Sequence, residues 1–188
     1  MPDLMLFCVA DEAKPFIRKI LAYSDYAKGV PDPWYLVESK TNPKDPSMFK
    51  KKVETDNEPI KSEFIGATPQ ECQEWLLREQ DQVTFMEKDI LFIADARSAR
   101  DETLLAQVYR REQIVYGVDD ENGKKLPPTP YTWWNYRIKF EEAWDLHSML
   151  NYGPASAVDP FVYERKEEAV DGEGVFSVQK AEELIFHS

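Results

Sequence analysis

Glycine is scarce in this chain of 188 residues: there are seven, and none falls in a GxGxxG or GxxxxGK[ST] pattern. Loops that cradle phosphate need glycine, because the backbone must approach the anion closely. The common nucleotide-dependent enzymes are therefore disfavoured. Cysteine and histidine number only two each (Cys8, Cys72, His147, His187), which excludes a disulfide scaffold and leaves no pair at zinc-ligand spacing. No metal or cofactor is implied. No apolar run approaches the ~18–20 residues of a membrane span. The run at residues 4–10 lacks a basic start and is cut off by Asp11 and Glu12, so it reads as a buried strand and not as a secretory signal. The expectation is a cytoplasmic protein with no membrane contact and with Cys8 and Cys72 as buried free thiols. A redox pair between them is the minor alternative. Basic charge is also short. Lys and Arg total 23 against 35 Asp and Glu, a net charge of −12, which argues against nucleic acid and anionic membranes as partners.

What is present is apolar bulk: 43% of residues are hydrophobic and 13% aromatic, ample for a core. Residues 4–9 read as a buried central strand. Asp11 then opens a helix with Phe16, Ile17, Ile20 and Leu21 on one face, expected to end before Gly29. Residues 34–37 read as a second strand. Residues 40–61 carry six lysines and three prolines and few apolar side chains, which predicts a long mobile loop. Glu63-Phe64-Ile65 resembles a short edge strand. Thr68-Pro69-Gln70-Glu71 is a capping box with proline at the first helical position, and Cys72, Trp75 and Leu76 form the buried stripe behind it. Residues 90–94 are the strongest buried-strand signal.

Residues 103–109 read as a strand. Residues 132–140 alternate, with Trp134, Tyr136, Ile138 and Phe140 on the core face and Trp133, Asn135, Arg137 and Lys139 on the other. A helix follows over residues 141–152, with Gly153 as its stop and His147 as a packed histidine. Asp159-Pro160 is expected to start a short helix, and Ser177 to cap a final one. The acid is uneven. Residues 141–188 hold 11 acidic and 3 basic residues, so residues 154–188 are expected to form an acidic helical region.

Two segments are candidates for function. The first is Asp95-Ala96-Arg97-Ser98-Ala99-Arg100-Asp101, directly after the strongest strand. Ligands of open α/β sheets collect outside the carboxyl ends of strands. Arg97 and Arg100 are suited to an anionic ligand, and Asp95 and Asp101 to a base or a metal ligand. Asp11 and Glu12 would join them if the first and third strands were parallel neighbours. The competing reading is that these charges pair with one another and cap a turn; their alternating signs favour it. The second segment is the aromatic cluster Tyr131, Trp133, Trp134 and Tyr136. If the face carrying Trp133 is not covered, a tryptophan beside Arg137 is a typical interface residue.

The segment from Ile93 to Asp101, the segment Thr103 to Tyr109 and the Trp-x-x-x-Arg-Ile-x-Phe run at residues 133–140 are together similar to small uncharacterised intracellular proteins of filamentous fungi that carry a domain of unknown function. That resemblance, which spans residues 90–150, implies an α/β domain and a fungal cytosolic setting. It transfers no activity.

The expectation is one α/β or α+β domain over residues 1–188, with a mixed sheet of about five strands flanked by helices and an antiparallel ribbon over residues 103–140. Functionally the chain reads as a non-enzymatic protein-interaction or self-associating module, with Tyr131, Trp133 and Arg137 at the interface. The alternative is a small-molecule-binding protein or enzyme that uses Asp95, Arg97, Arg100 and Asp101.

Overall fold

The computed structural model describes residues 3–23, 34–41, 44–55, 57–79, 86–110 and 132–186. Five strands form one sheet in the order β2-β1-β3-β4-β5. They are β1 (Asp3–Cys8), β2 (Trp34–Leu36), β3 (Met86–Ala94), β4 (Thr103–Arg110) and β5 (Thr132–Lys139). Six α-helices accompany them: α1 (Lys14–Ala22), α2 (Pro69–Glu79), α3 (Ser98–Asp101), α4 (Ala143–Tyr152), α5 (Ala155–Glu164) and α6 (Val178–Phe186). This is the expected mixed α/β sheet flanked by helices. Contacts cluster into two compact units, Met1–Gln107 and Val108–Ser188, and the division falls inside β4 rather than in a linker.

In the first unit β1 lies between two parallel neighbours. Leu4, Met5 and Leu6 pair with Trp34, Tyr35 and Leu36, and Met5 to Cys8 pair with Leu91 to Ala94. A strand flanked on both edges and covered on both faces must be apolar throughout, and Leu4, Met5, Leu6, Phe7 and Cys8 are all fully buried. Each such large side chain removed from water contributes roughly 1.5–3 kcal/mol. The crossovers β1-α1-β2 and β2-α2-β3 run in opposite directions along the sheet. Right-handed connection therefore places α1 and α2 on opposite faces. The α1 stripe Phe16, Ile17, Ile20 and Leu21 is buried as its spacing predicts. On the α2 side, Phe7, Phe64 and Trp75 meet edge to face, with centroids 4.9 to 6.0 Å apart. That geometry suits the ring quadrupoles.

Of the local expectations in this unit, only the edge strand at residues 63–65 is corrected. The first helix ends at Ala22, where Tyr23 turns extended, and so stops before Gly29 as expected. Residues 63–66 form a turn and not an edge strand, with Gly66 at φ 80°. Phe64 is buried by its ring contacts and not by a ladder. The lysine-rich segment is pinned at several points. Lys50 makes an antiparallel bridge to Leu36, Phe49 stacks on Tyr35 at 5.2 Å, and Arg18 donates to the carbonyl oxygens of Thr55 and Glu58.

The capping box on α2 forms as read. Glu71 accepts from the backbone N–H of Thr68 at 2.7 Å, and the Thr68 hydroxyl accepts from the N–H of Glu71 at 3.3 Å. Only eight residues join β3 to β4, fewer than a parallel crossover needs, so these neighbours run antiparallel.

In the second unit, Tyr109 near the end of β4 meets Trp133 near the start of β5. Ends meet starts in antiparallel pairs, which is the expected ribbon. Tyr136, Ile138 and Phe140 are buried on the core face, whereas Trp134 is only half-buried, against Tyr163. Within α4, Ala143, Leu146, His147, Met149 and Leu150 are buried. Gly153 ends that helix at φ −66°, not in the left-handed conformation. The reason for glycine is space: a Cβ there would lie 2.4 Å from the Met149 carbonyl oxygen. The next helix starts at Ala155 and not at Asp159, so Pro160 lies inside it. At α6 the Ser177 hydroxyl accepts from the N–H of Lys180 at 3.3 Å, the cap read from sequence.

Candidate functional site

Strand order reverses between β1 and β3, since β1 leads away toward β2 and β3 toward β4. The carboxyl ends of the two strands are joined by the Val9 N–H donating to the Ala94 carbonyl at 3.0 Å. A crevice opens at such a point in doubly wound sheets and is where ligands bind. Asp11, Glu12 and the Asp95–Asp101 segment all follow these strand ends, so the topology meets the condition for bringing them to one end of the sheet.

The chain fills part of this crevice itself. Gly66 N–H donates to the Val9 carbonyl and the Ser62 hydroxyl to the Cys8 carbonyl, both at 2.8 Å. The turn at residues 63–66 thus closes over the end of β1. Its left-handed Gly66 lets the backbone fold back that tightly.

The four charged residues after β3 are bound mostly to their own turn. Asp95 Oδ1 accepts from the backbone N–H of Ser98 at 3.0 Å and from its hydroxyl at 3.1 Å. Asp95 therefore satisfies the first backbone N–H of α3, which has no partner within the helix. Arg97 Nε donates to Asp101 Oδ2 at 2.6 Å, one turn of helix away. Asp101 Oδ1 accepts from the Thr103 hydroxyl at 2.6 Å and from its N–H at 3.2 Å. Partial burial pushes the Asp101 carboxyl up, but hydrogen bonds from Thr103 and Arg97 outweigh it and hold the group below its ordinary value. A carboxylate held this way is a poor general base. Arg100 is exposed and has no side-chain partner among the described residues.

Asp11 is exposed and pairs with Lys14 at 2.6 Å. Among the described residues no three of His, Cys, Asp and Glu come together as a metal site. Glu102 follows α3 in the left-handed conformation, at φ 57°, and its carboxylate reaches Lys19 of α1 at 2.5 Å. The α3 turn is thereby tied to α1 as well as to Asp95.

The thiols offer no nucleophile. Burial raises the Cys8 thiol to about 11 and the Cys72 thiol to about 12, and both are free. Their thiolate fraction at neutral pH is negligible. His147 is fully buried, with Trp144 stacked at 5.3 Å and Tyr152 edge-on at 5.7 Å.

The second candidate region is more open. Trp133 is half-buried, and its ring centroid lies 4.9 Å from that of Tyr109. Arg137, two positions further along the same face from the exposed Asn135, is also half-buried. Its carbonyl oxygen accepts from the N–H of Phe176 at 2.6 Å, which ties β5 to the segment before α6. Tyr131 lies outside the described residues. Tyr109 was not singled out from sequence, although alternation along β4 places it on the face of Leu105 and Gln107. No helix of the described residues is long and apolar enough to cross a membrane.

Comparison with protein-family models, with curated proteins and with solved structures finds no match to this chain.

Proposed function

We propose that this protein acts by binding another protein, or a second copy of itself, through the aromatic face of the β4–β5 ribbon, and that it is not an enzyme. The observation that carries this reading is the half-buried Trp133, its ring tilted against that of Tyr109 and followed on the same face by Arg137. Tryptophan, tyrosine and arginine are the residue types that dominate interface energetics. Trp133 and Arg137 lie on β5, the last strand in the sheet order, and Tyr109 on its neighbour β4. The acidity of residues 141–188 favours a basic partner surface, as electrostatic complementarity speeds encounter and suppresses wrong partners.

Support for a small-molecule site at residues 95–101 is weaker, because Asp95, Arg97 and Asp101 are engaged in local hydrogen bonds and pairing. The cytoplasmic setting and the affinity with fungal domains of unknown function belong to this same proposal.

The test is mass measurement by light scattering across a concentration series, together with capture from a lysate. The chain is compared with Trp133→Ala, Arg137→Ala and, as a surface control, Arg100→Ala. Loss of a hot-spot side chain costs at least ~2 kcal/mol, or roughly thirtyfold in affinity. Association weakened by the first two variants and untouched by the third supports the reading. A strict monomer that captures nothing, or complexes equally strong in all variants, refutes it.

A further inference from the structure

In the second unit a cavity of about 280 Å³ opens between the end of β5 and the start of α6. Lys139, Lys180 and Ser177 line it together with the apolar Val175 and Phe176. Residues 141–188 hold 11 acids and only 3 bases. A lysine in such surroundings ordinarily finds a carboxylate. Of those three bases, Arg165 pairs with Glu168 at 2.9 Å and Lys166 lies 4.0 Å from Glu167. Lys180 has no carboxylate within ion-pair distance among the described residues, and neither does Lys139. Lys180 is felt by Glu168 only through space.

The two carboxylates at the cavity are directed elsewhere. Asp171 Oδ1 accepts from the backbone N–H of Glu173 and of Val175, both at 2.9 Å, and so holds its own hairpin. Glu142 Oε1 takes the Ser177 hydroxyl and the Gln179 N–H, both at 3.4 Å, the outer limit for such bonds. Glu142 is thus a loosely held internal carboxylate at the place where a better-fitting one would bind.

We propose that this cavity binds a small organic carboxylate, with its carboxyl group between Lys139, Lys180 and the Ser177 hydroxyl and its apolar part against Val175 and Phe176. Two ammonium groups supply charge-assisted hydrogen bonds, which are about twice as strong as neutral ones. The apolar floor selects an organic acid over an inorganic anion. Glu142 competes with the ligand, so removing its charge tightens binding.

The probe is benzoate, added to the full chain and followed by the backbone amide resonances of residues 175–180, with benzylammonium and inorganic phosphate as controls. Saturable shifts with benzoate and none with benzylammonium are expected. Lys139→Gln with Lys180→Gln weakens benzoate binding at least about tenfold, and Glu142→Gln, which keeps an acceptor at Ser177, strengthens it. Unchanged melting temperatures show that the variants remain folded, since both lysines are exposed. No saturable shift with benzoate, equal response to benzylammonium, phosphate binding as tight as benzoate, or affinity unchanged in the lysine double variant each overturns the proposal.

Discussion

The Arg97 guanidinium closes on the Asp101 carboxylate at 2.6 Å, across one turn of the helix that follows β3. The opposite oxygen of the same carboxylate takes the hydroxyl and N–H of Thr103 at the start of β4. One side chain therefore links the α3 turn to the next strand. Asp101→Asn is expected to lose about 1–2 kcal/mol, because one acceptor oxygen and the ion pair are lost together. The folded-state carboxyl titrates below its unfolded value. Its stabilisation is present above the ordinary aspartate range near ~3.9 and is lost as pH falls through and below it. Urea denaturation at neutral and acid pH checks this: the variant's deficit should be largest at neutral pH and shrink toward pH ~3. A deficit independent of pH contradicts it.

Gly153 is a second point of sensitivity. A Cβ there would lie 2.4 Å from the Met149 carbonyl oxygen and 2.7 Å from Val158 Cγ2. The first of these atoms is backbone and the second is buried. Gly153→Ala is expected to destabilise by about 1–3 kcal/mol, the usual range for overpacking, although its φ suits alanine. Chemical denaturation of the variant measures it, and a stability equal to wild type counts against the packing described.

Thiol chemistry tests the core of the first unit. With Cys8 and Cys72 buried and their thiols raised to about 11 and 12, neither is expected to react with a disulfide reagent in the native state at neutral pH. Both should react once denaturant opens the fold, with reductant making no difference to native stability. Fast labelling of either native thiol, or stability that depends on reductant, is the contrary result.

The α2 capping box gives the most local prediction. Thr68→Ala removes a hydroxyl that accepts from the Glu71 N–H. The expected loss is about 1 kcal/mol, the usual value of an N-cap. A melting curve superimposable on wild type is the outcome against it.

How much was legible depended on the range of the interaction. The stripe on α1, the Thr68-Glu71 box and the Ser177 cap are written within three or four residues, and the structure forms each of them. Period-two alternation placed β5, and continuous apolar runs placed β1 and β3. The misread turn at residues 63–66 shows the limit. Phe64 is apolar because it packs between Phe7 and Trp75, residues far away in sequence, and apolar character alone resembles a strand. Pro160 likewise suggested a helix start, whereas the helix begins at Ala155 and carries the proline inside. Gly153 ends α4 as its place in the sequence indicates, while the reason for glycine there, the lack of room for a Cβ, shows only in the structure.

The sequence by itself determined which segments become strands and helices and which of their faces are apolar, because those preferences act between residues a turn apart. It also set the acid excess of residues 141–188. Only the tertiary structure decided that β1 and β3 are parallel neighbours, that Gly66 and Ser62 close over the end of β1, and that Lys139 and Lys180 face one cavity. Those relations join residues dozens of positions apart. No local spacing encodes them; they exist only once the sheet order is formed and each backbone and side-chain donor has found its acceptor.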